Sequence, residues 1–149
     1  KQNVKQLTSE LKRMRLSAEQ IHSDLEQDKR EQVLIDFKNK KLKILVATDI
    51  LSRGIDIEDI DLVINYDVPH DGEDYIHRIG RTARAATKGT AHTFISDKEQ
   101  IKFLRIEKLL GHPVNKLPVP EQFGPTPAVR DSIPRSGKRK KYKSSGNRR

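Results

Sequence analysis

No cysteine and no tryptophan occur in the 149 residues, there is one methionine, and the aromatic set is three tyrosines and four phenylalanines. Without cysteine, neither a disulfide framework nor a thiolate metal site can form. The five histidines, at 22, 70, 77, 92 and 112, have no ligand spacing, so no metal site is expected. No apolar run reaches membrane length, and the opening Lys1-Gln2-Asn3-Val4 has neither an initiator Met nor an apolar leader. These absences predict a soluble protein with no membrane partner and a cytoplasmic location, and the missing Met predicts that the chain is a piece of something longer. A phosphate-binding loop of the form G-x-x-x-x-G-K-[ST] is lacking too, since Ser136-Gly137-Lys138-Arg139 has no preceding glycine.

Proline is scarce until late in the chain. Six of the seven prolines lie at position 113 or beyond, so composition changes near Gly111-His112-Pro113. Charge changes as well. Of the net +9, residues 130–149 supply +8, with nine Lys/Arg against one Asp, which leaves +1 for the first 129 residues. The predicted division is a folded domain over 1–112, a Pro-rich tether over 113–127 and a basic tail over 128–149. So few apolar residues in the tail predict disorder. A cationic run of this kind attracts nucleic acid by neutralising phosphates, without sequence preference, and Tyr142 could stack on a base. A purely solubilising tail is the plainer alternative.

Within 1–112 the apolar pattern alternates between helix and strand periods. Val4, Leu7, Leu11 and Met14 recur at helical spacing over 2–14, and Ala18 to His22 reads as a short strand. Ser23-x-x-Glu26 reads as a capping box opening a helix to about Asn39, with Val33, Leu34 and Phe37 inward. Lys43 to Thr48 and Leu62 to Tyr66 are continuous apolar runs, as expected of strands buried on both faces. Pro69 and Asp71 predict a helix carrying residues 77–84 near its C-terminal end. Thr90 to Ile95 is a further strand, and Ser96-x-x-Glu99 opens a helix over 97–110 closed by Gly111. The fold class predicted is α/β: an open, mostly parallel sheet with flanking helices. Ligands of such sheets bind beyond the carboxyl ends of the strands. Gln27 to Arg30, Ala47 to Asp56, and Asp67-Val68-Pro69 follow the first three strands in turn.

The densest signal is His77-Arg78-Ile79-Gly80-Arg81-Thr82-Ala83-Arg84, three arginines at three-residue spacing around two small residues. Guanidinium groups are always charged and planar and bond bidentately, which suits phosphate and carboxylate partners. A solvated basic helix face is the plainer reading of any single Arg-x-x-Arg pair. Thirty residues earlier stands Ala47-Thr48-Asp49-Ile50-Leu51-Ser52-Arg53-Gly54-Ile55-Asp56. Together the two strings resemble motifs VI and V of the superfamily 2 helicases, and the leading His77 and the Ala-Thr-Asp point within it to the DEAD-box RNA helicases. Gln27 and Arg30 resemble that family's Q-x-x-R element, and Asp67-Val68-Pro69 its Asp-x-Pro.

The resemblance implies the second, C-terminal, RecA-like domain of an ATP-dependent RNA helicase. It implies Arg81 and Arg84 as arginine fingers on ATP, acting as catalytic residues, with Gly54 and Asp56 also at the nucleotide, Asp56 on the ribose. Gln27, Arg30 and Thr48 would contact RNA, while Arg53, His77 and Arg78 would couple this domain to the N-terminal RecA-like domain. ATP is the implied cofactor, with Mg²⁺ held by that N-terminal domain, because no Asp-Glu-Ala-Asp occurs here and Asp71-Gly72-Glu73-Asp74 is better read as a helix start. The implied partners are RNA and that N-terminal domain, and a monomer is expected; the chain alone should not hydrolyse ATP. The stretch Leu110 to Pro113 and the basic tail resemble the bacterial RhlE-like group.

Three departures accompany the resemblance. Ala83 stands where most relatives have Gly, and His22-Ser23 where relatives often have His-Gly. The family's second domain also opens with a strand bearing motif IV, before the helix at 2–14, and here that strand is missing. A sheet lacking it should expose an apolar gap. The alternatives are a stand-alone RNA-binding or adaptor module, and a superfamily 2 DNA helicase.

Overall fold

The computed structural model describes residues 1–48, 57, 60–84, 87–130 and 132, with backbone alone considered at 83, 84, 87 and 88. The chain divides into two compact units, Lys1–Phe94 and Ile95–Arg149.

The first unit runs α1 (Gln2–Arg13), β1 (Ala18–Ile21), α2 (Gln27–Lys38), β2 (Ile44–Ala47), β3 (Leu62–Asn65), α3 (Gly72–Ile79), β4 (Ala83–Arg84), β5 (Thr87–Lys88) and β6 (Thr90–Thr93). β1 and β2 pair in parallel, with Ile21 opposite Ala47. β3 and β6 pair likewise, with Asn65 opposite Thr93. Parallel neighbours need a crossover. α2 supplies the first, and α3 with the small β4–β5 hairpin lies in the second. This is the α/β, parallel-strand architecture read from the alternating pattern.

The strands nevertheless form separate pairs, not one continuous sheet: among the described residues β2 and β3 share no ladder. Neither is buried on both faces as their apolar runs predict. β2 is half-buried, and β3 leaves Leu62 47% and Ile64 52% exposed. Alternation puts Leu62, Ile64 and Tyr66 on one face of β3, opposite the face that meets α3. Tyr66 there meets Phe94 edge-on, ring centroids 6.2 Å apart.

Local signals explain most element ends. Asp71 caps α3, its Oδ1 accepting the Asp74 N–H at 2.7 Å. Buried Val68 and Pro69 anchor the turn before it. The predicted box at Ser23 does not form, because Ser23 and Asp24 are spent in a turn and α2 begins at Gln27. Helix α1 ends at Arg13, so Met14 leaves the apolar stripe and is exposed. Among the described residues the unit's buried core comprises Ala18, Ile21, Leu42, Ile57, Val68 and Tyr75.

In the second unit the predicted box at Ser96 does not form either. Ser96 Oγ and N–H both donate to Glu99 Oε2, at 2.6 and 3.3 Å, and the Glu99 N–H donates to the Ser96 carbonyl at 2.9 Å. The helix opens at Gln100 and not at 97. This helix, α4 (Gln100–Leu110), ends at Gly111 with φ +76°. That positive φ suits glycine. The buried Glu107 carboxylate accepts the Val114 N–H and the Lys116 ammonium, each at 2.8 Å. It thereby turns the Pro-rich segment back along the helix. Glu107→Ala should leave the Val114 N–H without its acceptor, at a cost of about 1–3 kcal/mol. Tryptic cleavage after Lys116 should then accelerate roughly tenfold; an unchanged rate would mean that Glu107 does not hold this turn.

Candidate functional site

The polar side chains singled out by sequence gather at two places. At the carboxyl ends of β1 and β2, buried His22 accepts the Asp24 N–H on Nδ1 at 3.2 Å, which fixes the turn into α2. That turn presents Arg30, whose guanidinium donates to the Leu25 carbonyl and to Gln27 Oε1, both at 3.2 Å. Gln27 in turn donates to Glu31 at 2.7 Å. Gln27 and Arg30 are thus held as one unit. Thr48 continues the β2 ladder, its N–H donating to the Ile21 carbonyl at 3.3 Å. Among the described residues the buried Thr48 Oγ1 and Arg30 Nε have no hydrogen-bond partner. Donors in that state are costly unless something accepts from them. Beside them the Lys1 ammonium, 2.7 Å from Asp24, holds the Asp24 carboxyl below its ordinary value. This ion pair is present at neutral pH and is lost as acid titrates the carboxyl through that lowered value.

The second place follows β3. His77 and Arg78 occupy the last turn of α3, with His77 exposed. Arg78 is partly buried, and its Nη1 donates to Asn65 Oδ1 at 3.1 Å. Asn65, itself buried, donates from Nδ2 to Thr93 Oγ1 at 3.1 Å, so one amide ties α3, β3 and β6 together. The helix does not carry the whole motif as predicted. It stops at Ile79, and Arg81 lies in the turn beyond it, half-buried. Arg84 has its backbone in β4, and its side chain lies outside the described residues. So do Arg53, Gly54 and Asp56 entirely.

No motif flags Asn65 or Gly89, yet both build this place. Asn65 was legible only as a polar interruption in an apolar strand, and Gly89 only as a glycine between two threonine-bearing strands. Among the described residues no cluster of acids and histidines could hold a metal, and no helix is long and apolar enough to cross a membrane.

Parallel βα units with their polar residues collected past the strand ends, and an arginine turn beside them, define a RecA-like helicase domain. Residues 1–86 match the family described as helicase conserved C-terminal domain. The chain is 43% identical over 122 residues to the ATP-dependent RNA helicase DbpA of Bacillus subtilis, covering 82% of this chain and 26% of that protein. Among solved structures it is similar to a DEAD box protein of Methanococcus jannaschii, with TM-score 0.73 and 46% identity over 78% of this chain and 32% of that one. It is also similar to the Escherichia coli DEAD-box protein SrmB bound to RraA, with TM-score 0.77 and 30% identity over 88% of this chain and 76% of that one. The chain belongs to the helicase C-terminal domain family, as a RecA-like domain of the DEAD-box, superfamily 2 type. It spans about a quarter of the length of the curated relatives it matches.

Asn65→Leu tests the network at the second place. The substitution keeps the volume but strips the acceptor from Arg78 and the donor from Thr93. A loss of about 1–3 kcal/mol is expected as a lower urea midpoint at unchanged slope. An unchanged midpoint would show that the network carries no stability.

Proposed function

We propose that this chain is the C-terminal half of an ATP-dependent RNA helicase, binding RNA at the ends of β1 and β2 and completing an ATP site with Arg81 and Arg84. The observation that carries the reading is the placement of Arg81. It sits on a short turn just past α3, with its carbonyl held by the Ile60 N–H at 3.3 Å and its own N–H donating to Arg78. A guanidinium on a backbone so anchored suits a role in which charge is met at a fixed point.

In this reading ATP lies on an N-terminal RecA-like domain that also holds Mg²⁺, which offsets phosphate charge when bound. Arg81 and Arg84 neutralise charge developing on the transferred phosphoryl group. Gly54 and Asp56 meet the nucleotide, Asp56 at the ribose. Arg53, His77 and Arg78 couple the two domains. Gln27, Arg30 and Thr48 grip RNA phosphates, where Thr48 Oγ1 and Arg30 Nε have donors to offer. Closure of both domains on RNA and ATP bends the strand and destabilises a short duplex, and hydrolysis releases it. The likeness to DbpA of Bacillus subtilis, an ATP-dependent RNA helicase, supports this reading.

The same reading extends to a bacterial RhlE-like subgroup, a cytoplasmic monomer, and a division into a domain over 1–112, a tether over 113–127 and a basic tail over 128–149, most of which lies outside the described residues. In this reading a strand bearing motif IV completes the sheet. Turnover is expected only when that strand and the ATP-binding domain are on the same chain.

The test is steady-state ATPase at saturating RNA, in a full-length protein carrying this domain. Arg81→Ala and Arg84→Ala should each lower kcat by on the order of 10³–10⁵, with nucleotide-free RNA binding unchanged. Arg→Lys should fail nearly as badly, because an ammonium lacks the planar fork. Asp56→Ala should raise KM for ATP more than it lowers kcat, since a ribose contact exists before and during the reaction. Near-normal kcat in both arginine variants would reduce motif VI to a structural turn.

Removing residues 130–149 should weaken RNA binding and flatten its salt dependence. If the tail neutralises six phosphates, the log–log slope falls by roughly 4 on single strands. An unchanged slope would mean that the tail does not touch RNA.

A further inference from the structure

Residues 81–90 form a loop whose two ends are held by adjacent residues. The Ile60 N–H donates to the Arg81 carbonyl at 3.3 Å, and the Thr90 N–H donates to the Asp61 carbonyl at 3.0 Å. Inside this neck β4 pairs antiparallel with β5, Ala83 opposite Lys88. One step outward in the same register sets Thr82 opposite Gly89. No side chain fits at that crossing. A Cβ on Gly89 would lie 2.3 Å from Thr82 Cβ, 2.4 Å from the Thr82 carbonyl oxygen and 2.9 Å from its carbonyl carbon. Two of those three atoms are backbone, so no rotamer change relieves the overlap.

Thr82 has no easy retreat. It is buried, and its N–H and Oγ1 both donate to the Ile79 carbonyl, at 3.0 and 2.9 Å. Those bonds fasten it to the end of α3, where the Gly80 N–H also donates to the Ile76 carbonyl at 2.8 Å. The Gly89 backbone does not need the left-handed region, so the requirement for glycine is one of space and not of conformation. A methyl group at 89 must push the peptide after Thr82, the residue that directly follows Arg81.

We infer that Gly89 is a positioning residue for the arginine turn: its missing side chain lets the neck of the loop close and sets where the Arg81 backbone lies. This rests on the reading that Arg81 acts on phosphate. It reaches beyond that reading by assigning the placement of the arginine to a residue eight positions away that touches no ligand.

The test uses Gly89→Ala in a full-length protein carrying this domain. Steady-state ATPase at saturating RNA is measured beside nucleotide-free RNA binding and urea unfolding. A misplacement of about 1 Å at a reacting centre costs roughly 10²-fold in rate, so kcat should fall by that order. KM for ATP should move far less, and RNA affinity should hold, since Gln27, Arg30 and Thr48 lie at the other strand pair. A lower unfolding midpoint with normal kcat below the transition would overturn the inference, because Gly89 would then serve packing alone. In an Arg81→Ala background Gly89→Ala should add little, as expected of two changes acting through one group; fully multiplicative losses would overturn it. Normal kcat in Arg81→Ala alone would remove the phosphate reading itself, a different failure. Should Gly89→Ala not fold, amide hydrogen exchange on the unsubstituted protein decides. The Ile60 and Thr90 amides should be protected as well as those of β3 and β6, and rapid exchange at either would overturn the pinned neck.

Discussion

Two peptide hydrogen bonds at the entrance to β3 carry much of this architecture. Ile60 donates to Arg81 and Asp61 accepts from Thr90, so adjacent residues hold both ends of a ten-residue excursion. Three residues into the strand, Asn65 takes Arg78 on one side and Thr93 on the other. The whole arginine motif is thereby referred to one strand. Backbone bonds suit that task better than side-chain contacts, because they leave no rotamer to fluctuate.

The other strand pair is built on a different principle. There the polar groups are side chains, and they interlock: His22 fixes the turn, the Leu25 carbonyl and Gln27 fix Arg30, and Thr48 extends the ladder. Among the described residues Thr48 Oγ1 and Arg30 Nε remain buried donors without an acceptor. A phosphate strand would offset that cost. The two pairs thus divide the proposed work, one gripping RNA and one placing charge at a nucleotide, and a clamp needs both in a single closed state.

Much of this was legible in residue order. Strand and helix periods alternate from Val4 to Leu110, and Asp71 and Gly111 mark their element ends where capping chemistry wants them. Residues 77–84 and 47–56 identify the family by themselves. The misreadings have physical causes. The Ser23 capping pattern lost to a turn that uses Ser23 and Asp24. The apolar runs of β2 and β3 predicted full burial, but burial depends on neighbours that a strand's own sequence does not contain. Pro69 and Asp71 predict a helix running on through Arg81, whereas the chain leaves the helix at Gly80. Asn65 and Gly89 were invisible for a common reason: each matters through a partner distant in sequence, 28 residues away at Thr93 and across a hairpin at Thr82.

In the proposed function this domain is part of a motor that closes on RNA and ATP together. The most direct measurement is steady-state ATPase of a full-length protein carrying it, with single-stranded RNA and DNA of matched sequence at one salt concentration. Strong stimulation by RNA and little by DNA is the predicted result. Equal stimulation by DNA, or turnover as fast with no nucleic acid at all, would contradict it.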